Sequence, residues 1–138
     1  MAFELDSLFV DPEVGEKGVW VDFYGDSQLK LASIESAKYK SVLAKLARQN
    51  RLKMAEENDE SAAVMSDVTC EALAKCVLLD WKNIGMKGQQ NTPYTWEIGK
   101  EALLRSQKFR EFVSERAADT SIFKKELVAE VKKPSSGS

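Results

Sequence analysis

The stretch that decides the fold is Gly18-Val-Trp-Val-Asp-Phe-Tyr24, followed by Gly25-Asp26 and by Ser27-Gln-Leu-Lys-Leu-Ala-Ser33. Its first part is rich in β-branched and aromatic residues, and in its last part Leu29 and Leu31 alternate with polar residues, which is typical of half-buried strands. Glycine at the first turn position supplies the positive φ of a type II′ turn. The sequence therefore predicts a β-hairpin over residues 18–33. Because a lone hairpin is marginal in water, one face should pack on the helices that follow.

Two long helices are predicted after the hairpin, because apolar residues recur there at spacings of three and four. The first helix runs from about Ser36 to Glu57, and its apolar stripe is Tyr39, Val42, Leu43, Leu46 and Ala47. A polar break at residues 58–61 offers capping side chains for the second helix. The second helix is predicted to continue to about Lys82, with the stripe Met65, Val68, Ala72, Cys76 and Leu79.

Shorter helices are predicted in the remainder of the chain. A loop rich in glycine and amide side chains covers residues 83–93. Thr95 can cap a helix that ends at Arg105, and another helix begins near Ser106. The segment Asp119-Thr-Ser121 is predicted to open a last helix that has Phe123, Leu127 and Val131 on one face.

These elements predict a mainly α domain with an N-terminal β-hairpin, that is, a small single-domain helical bundle of the α+β class. Of the 138 residues 43% are apolar, which suffices for one core and not for two ordinary domains. Residues 1–17 contain an Asp11-Pro12 break and are expected to be a loosely ordered lead-in. The domain spans residues 18–131, with helices from about residue 36, and the polar segment 132–138 is expected to be disordered.

The composition excludes several chemistries. The chain has no histidine, so it has no His-dependent triad, imidazole base or His-ligated metal. The two cysteines, Cys70 and Cys76, lie six positions apart on one predicted helix, about 120° apart around its axis, which disfavours a local disulfide. They are expected to be small buried residues in a reducing cytosol. Glu111 and Glu115 could be imagined as acid and base, but at i, i+4 they fit a solvated helix face. No catalytic residue, metal or cofactor is assigned.

Charge and hydropathy give little reason to expect nucleic acid or membrane as a partner. Twenty basic residues against 22 acidic ones leave a formal charge of −2, and no stretch approaches the ~18 apolar residues that a membrane span needs. The N-terminal sequence lacks the features of a signal peptide. One basic run remains as a candidate phosphate-binding face on the 38–53 helix: Lys38, Lys40, Lys45, Arg48, Arg51 and Lys53. The acidic residues that follow would repel a polyanion, and a solvated face is the simpler interpretation.

Two aromatic residues stand out from the predicted core stripes. Tyr94 and Trp96 flank the capped start of the predicted 95–105 helix, beside the glycine-rich loop. Local packing explains them most simply, and partial exposure in a protein-binding hot spot is the alternative.

The order of these motifs resembles the tail assembly chaperones of long-tailed bacteriophages. The resemblance rests on the Gly18-Val-Trp-Val-Asp-Phe hairpin, on Leu29-Lys-Leu-Ala before the helix with Lys38-Tyr39, on Leu78-Leu-Asp-Trp-Lys-Asn-Ile84 with Gly88 after it, and on Thr92-Pro-Tyr-Thr95. It spans about residues 18–128. Asn83 stands where the family usually has glycine, and Met86-Lys87 and Gln89-Gln90 replace acidic loop residues, which leaves the role of that loop open.

The resemblance implies a non-enzymatic assembly factor. Family members bind the tape measure protein, keep it soluble and help to recruit tail tube subunits. They act in the host cytoplasm, are absent from the mature virion, and in many phages also occur as a longer product of ribosomal frameshifting. Lys132-Lys133 can be encoded by a run of adenines on which ribosomes slip, although a basic tail explains the pair equally well.

Such a role needs an apolar surface for the helices of the tape measure protein. Phe109, Phe112 and Val113 are predicted to form one wall of it, and with Tyr94 and Trp96 they complete the candidate protein-binding residues. Two rival functions remain: a nucleic-acid-binding protein that uses the 38–53 helix, and a structural component of the tail or of the head–tail connection.

Overall fold

A computed structural model describes residues 2–55 and 59–125 of the chain. Its helices are α1 Pro12–Lys17, α2 Ala37–Gln49, α3 Arg51–Ala55, α4 Asp59–Cys76, α5 Trp96–Arg105 and α6 Gln107–Ala118, and its strands are β1 Val19–Asp22, β2 Gln28–Leu31 and β3 Leu78–Lys82. Short 3-10 turns lie at Leu5–Leu8 and Thr120–Ile122. The predicted fold class, mainly α with an N-terminal hairpin, is confirmed.

The predicted hairpin forms as expected. Strands β1 and β2 are antiparallel, and Val19 stands opposite Leu31. The turn is closed by the Ser27 N–H, which donates to the Tyr24 carbonyl at 2.8 Å. Gly25 has a φ of 56° at the first turn position, so the glycine is needed there for the reason that the sequence indicated.

The second predicted helix ends earlier than expected. Helix α4 stops at Cys76, and the residues placed at its end form strand β3, which pairs antiparallel with β2. Leu78 and Trp81 are buried while Asp80 is exposed, and the pairing shifts between Lys30 and Leu31. A short apolar run is compatible with either a buried helix or a strand. The strand forms here because it pairs with the backbone N–H and C=O groups on the edge of β2 that β1 leaves free.

The first predicted helix is interrupted at Asn50, where the backbone has φ −115° and ψ 19°. The Asn50 side chain donates to the Leu46 carbonyl at 2.9 Å, which is the competition with the backbone that makes asparagine a poor residue inside a helix. The predicted stripe of α2 is half-buried. On α4, by contrast, Met65 is exposed although it was placed in the apolar stripe.

The expectation of a loosely ordered lead-in is wrong for residues 12–17, which form α1. The Asp11 side chain accepts hydrogen bonds from the N–H groups of Glu13 and Val14. Asp11-Pro12 is therefore an N-cap followed by proline at the first helical position, rather than a break. Val14 is buried, and the Gly15 carbonyl accepts from the Ser33 N–H at 2.8 Å.

The starts of the later helices, and the Thr95 cap, were predicted correctly. The Thr95 side chain accepts from the Ile98 N–H at the start of α5, and the Ser106 side chain accepts from the Phe109 N–H at the start of α6. After α6 the chain makes the 3-10 turn Thr120–Ile122, and Phe123 is fully buried. Leu127, Val131 and the expected disordered tail 132–138 lie outside the described residues.

The core lies between the inner face of the sheet and helices α4, α5 and α6. Its fully buried members include Leu29, Leu31, Val77, Leu78, Leu103 and Val113. Cys70 and Cys76 are buried and not disulfide-bonded, as predicted. The hairpin is thus held by burial of one face, as a two-stranded unit requires.

An ion cluster ties α4 to α5. The Glu71 carboxylate accepts from Lys75 Nζ at 2.8 Å and from Lys100 Nζ at 3.3 Å, and Lys100 also reaches Asp67 at 3.0 Å. The hydrogen bond from Lys75 is the largest cause that lowers the pKa of Glu71 below its ordinary 4.5; burial opposes it and Lys100 adds to it.

We expect Glu71→Gln to lower the free energy of unfolding by about 0.5–1 kcal/mol at neutral pH, the scale of a partly exposed ion pair. A carboxyl whose pKa is lowered by folding stabilises above its unfolded pKa, and this contribution disappears as pH falls through the folded pKa. Urea denaturation between pH 7 and pH 3 should therefore show that the unfolding free energies of the wild type and of Glu71→Gln converge below pH 4.5. A constant difference across that range would contradict the assignment, and Glu16→Gln on exposed α1 is the control.

Candidate protein-binding groove

Phe23 is the centre of an aromatic cluster between the hairpin turn and α6. Its ring centroid lies 4.8 Å from that of Phe112 and 5.5 Å from that of Phe109, both edge-on. Tyr24 lies beside it at 4.4 Å and is 59% exposed. Edge-to-face contacts at these distances are favourable, so the cluster is held together while one of its sides faces solvent.

Two adjoining cavities, of about 280 and 250 Å³, follow this cluster. They share Phe23, Ser106 and Phe109, and the second extends to Ile84 and Met86 in the loop after β3. We call this surface the aromatic groove, and its members are Phe23, Tyr24, Ile84, Met86, Phe109 and Phe112. Its charged rim consists of Arg105, Lys108, Glu111 and Glu115.

Helix α6 positions two of the aromatic rings. The Ser106 cap fixes the start of the helix, and Phe109 and Phe112 are three residues apart, so they project from one face. The Arg116 guanidinium lies 5.4 Å from the Phe112 ring. Val113, one turn after Phe109, is fully buried and does not line either cavity, so it supports the wall of the groove from inside.

Tyr94 and Trp96, the other two candidate residues, do not line the two cavities. The Tyr94 hydroxyl donates to the Ala74 carbonyl at 2.5 Å, and its ring stands edge-on to Trp81 at 4.9 Å. Burial raises the pKa of Tyr94 well above its ordinary 10.0. Trp96 is half-buried beneath Lys75, whose Nζ lies 4.3 Å from the ring centre. Local packing accounts for both residues.

The packing of Tyr94 predicts the sign of one substitution. A Cβ at Gly99 would lie 2.5 Å from Tyr94 Oη and 2.6 Å from its Cε1. Glycine to alanine in a helix normally stabilises by up to about 1 kcal/mol, but here we expect Gly99→Ala to lower the unfolding free energy by about 1–3 kcal/mol through overpacking. Urea denaturation would measure it. The double variant Gly99→Ala with Tyr94→Phe should lose less unfolding free energy than the two single variants added together. If the losses were additive, the contact with Tyr94 Oη would not be the cause.

Four of the six residues of the aromatic groove were not predicted from the sequence. Phe23 and Tyr24 were assigned to a strand, whereas β1 ends at Asp22. Ile84 and Met86 were assigned to an ordinary loop. The available signal was the aromatic pair directly before the turn glycine, because residues at the tip of a hairpin leave the alternation of the strand and can lie beside a neighbouring helix.

The basic residues predicted as a candidate phosphate-binding face are exposed on α2 and α3: Lys38, Lys40, Lys45, Arg48, Arg51 and Lys53. Exposed Asp59 and Glu60 follow at the start of α4. Across residues 2–55 and 59–125, no group of three or more Cys, Asp or Glu side chains could hold a metal ion. None of the helices in that part is long and apolar enough to span a bilayer.

A family model described as YdaY prophage protein matches residues 34–133. The chain belongs to the YdaY prophage protein family. It is thus a phage-related protein. No curated protein and no solved structure matches the chain. The part shared with the YdaY family includes the loop and α6 sides of the aromatic groove, while Phe23 and Tyr24 lie before it.

Proposed function

We propose that this YdaY family protein is a phage tail assembly chaperone that binds the tape measure protein and keeps it soluble. The observation that carries the proposal is the aromatic groove: a phage-related protein presents an apolar surface built on a rigid helix and a hairpin. Contiguous exposed apolar surface on a folded domain marks an interaction site.

The groove suits an amphipathic helix as its ligand. A helix can place residues at i, i+3, i+4 and i+7 in an apolar groove, and the two adjoining cavities give successive anchors separate places to bind. Tyr24, Phe109 and Phe112 offer aromatic contacts of the kind that dominate binding energy. A tape measure protein is long and helical, with apolar stripes that would self-associate if left bare.

Each contact can be weak because the target is long. Many chaperone copies along one polypeptide, especially if they touch one another, gain avidity from their high local concentration. The same complex would hold the tape measure protein ready for the tail tube protein, which is the second proposed partner. Neither step needs a reactive group, so the proposal includes no enzymatic activity and no cofactor.

The proposal places the protein in the host cytoplasm and not in the mature virion. Self-association and a frameshift-extended longer form are part of it. The nucleotide sequence at Lys132-Lys133 tests the extended form: a slippery heptamer with an overlapping downstream frame supports it, and the absence of both removes it.

Co-expression with the tape measure protein from the same prophage tests the main proposal. Alone, the tape measure protein should collect in the insoluble fraction; together with this chain it should become soluble and co-elute with it in size-exclusion chromatography. A tape measure protein that stays insoluble in the presence of the folded chain, or is soluble without it, would contradict the proposal.

The rival functions have tests of their own. The exposed basic face of α2 and α3 is the observation that favours a nucleic-acid-binding protein. Binding through phosphate contacts would give an affinity that falls steeply with salt. We expect no salt-sensitive gel shift with DNA or RNA. We also expect the chain to be missing from purified virions, whereas a structural tail component would be found there.

A further inference from the structure

A second apolar surface, none of whose residues line the groove, lies on the segment that precedes α1. Four of its side chains are more than half exposed, within seven residues: Phe3 at 68%, Leu5 at 61%, Leu8 at 51% and Phe9 at 58%. We call these four residues the N-terminal patch. Four large apolar side chains exposed within seven residues mark an interaction site, whereas single exposed apolar residues need no explanation.

The patch is fixed next to the place where the described chain stops. The Asp11 N–H donates to the Phe123 carbonyl at 2.9 Å, and Lys124 Nζ donates to the Phe9 carbonyl. The 3-10 turn Leu5–Leu8 packs against the turn Thr120–Ile122. The described residues end at Lys125, one residue after the lysine that contacts the patch.

We propose that the segment Glu126-Leu-Val-Ala-Glu-Val131 docks on the N-terminal patch of the same chain and covers it. The segment supplies Leu127, Val128 and Val131, and the first and last of these are four residues apart, on one face if the segment is helical. Six residues reach about 9 Å as a helix and about 20 Å when extended. A patch that spans seven residues, including a 3-10 turn, lies within the extended reach.

Charge supports the same pairing. Residues 2–16 carry five acidic side chains and no basic one: Glu4, Asp6, Asp11, Glu13 and Glu16. Residues 124–133 carry four lysines against two glutamates. Lys125 already contributes, after Lys17, to lowering the pKa of Glu13. Opposite charges around an apolar contact favour docking of this segment on the acidic N-terminal part of the chain.

The family match includes the segment but not the patch. The YdaY model runs to residue 133 and therefore includes residues 126–131. Docking would remove the exposed surface of the N-terminal patch and leave the aromatic groove as the main apolar surface of the described chain. The proposal is independent of the proposed chaperone function, because the N-terminal patch and the aromatic groove share no residue.

Methyl NMR on the full chain tests the contact directly. With labelled leucine and valine we expect cross-peaks between the methyl groups of Leu5 or Leu8 and those of Leu127 or Val131. Methyl groups of Leu127 and Val131 at random-coil shifts, without such cross-peaks, would overturn the proposal. Cross-peaks seen only between differently labelled molecules would also overturn it, because the cover would then be a second copy.

Hydrogen exchange with a paired variant gives a second readout. The N–H groups of Ser7 and Phe9 donate within the 3-10 turn. Since burying a leucine changes a local equilibrium by about tenfold or more, Leu127→Asp with Val131→Asp should speed exchange of these two amides by at least that factor. Leu52→Asp, at an exposed position on α3, is the control and should leave them unchanged. Equal exchange in the wild type and the double variant would refute docking.

Discussion

Replacing Phe112 with aspartate is expected to weaken binding of the tape measure protein by about thirtyfold or more, the scale of losing a hot-spot residue. Phe112 is half-buried, and its ring packs against Phe23 at 4.8 Å. A carboxylate there would place a charge in the wall of the aromatic groove, where it would have to be desolvated when a ligand helix docks. Isothermal titration with a soluble fragment of the tape measure protein would measure the loss.

The loss must be separated from unfolding. Tyr24→Asp is the companion variant, since Tyr24 is 59% exposed and its replacement should cost little stability while still weakening binding. Leu52→Asp makes a comparable change on a surface outside the groove, where the leucine is 79% exposed, and should bind as the wild type does. If both groove variants were folded and bound with unchanged affinity, the aromatic groove would not be the binding surface.

Trp81→Ala is expected to give the largest loss of stability, about 3–5 kcal/mol of unfolding free energy. The Trp81 side chain, on β3, is buried in the core, and its indole N–H donates to the Thr92 carbonyl at 2.6 Å. The substitution opens a cavity, removes the ring on which Tyr94 stands edge-on, and leaves the Thr92 carbonyl without its donor. Against a typical total of 5–15 kcal/mol, urea denaturation should show a much lower midpoint.

Trp20→Ala is the matched control on the opposite face of the sheet. Trp20 is only half-buried, and Lys82 Nζ lies 4.1 Å above its ring. We expect its loss to cost about 1–2 kcal/mol, from one cation–π contact and partial burial. If the two tryptophan variants were equally destabilised, the core would not be centred where the structure places it.

Elements whose boundaries are set locally were predictable from the sequence. The turn at Gly25 needs a positive φ, and the caps at Thr95 and Ser106 need a side-chain oxygen just before a helical stripe. Each is decided by a few neighbouring residues. The hairpin, α5 and α6 were therefore predicted close to their observed bounds.

Elements decided by long-range pairing were not predictable in the same way. Residues 78–82 are as apolar as the end of a buried helix, and only the open edge of β2, some fifty residues earlier, makes them a strand. Asp11-Pro12 was interpreted as a break because the surface on which α1 packs, at Ser33, is distant in sequence. In both cases tertiary contacts override local preference.

The residues of the candidate site likewise fall into those that local sequence predicts and those that only tertiary contacts reveal. Phe109 and Phe112 were found because their spacing on one helix is visible in the sequence. Phe23 and Tyr24 became part of the site only when the fold placed the hairpin turn beside α6. Tyr94 is explained by contacts with Ala74 and Trp81 that only the structure shows.

Chemical-shift mapping with a fragment of the tape measure protein is the most direct test of the central claim. Titrating a soluble helical fragment into the labelled full chain should shift the amide signals of Phe23, Tyr24, Phe109 and Phe112, with little change on the basic face of α2. Absence of any shift at millimolar fragment, or shifts confined to α2 and α3, would contradict the assignment of the aromatic groove as the chaperone surface.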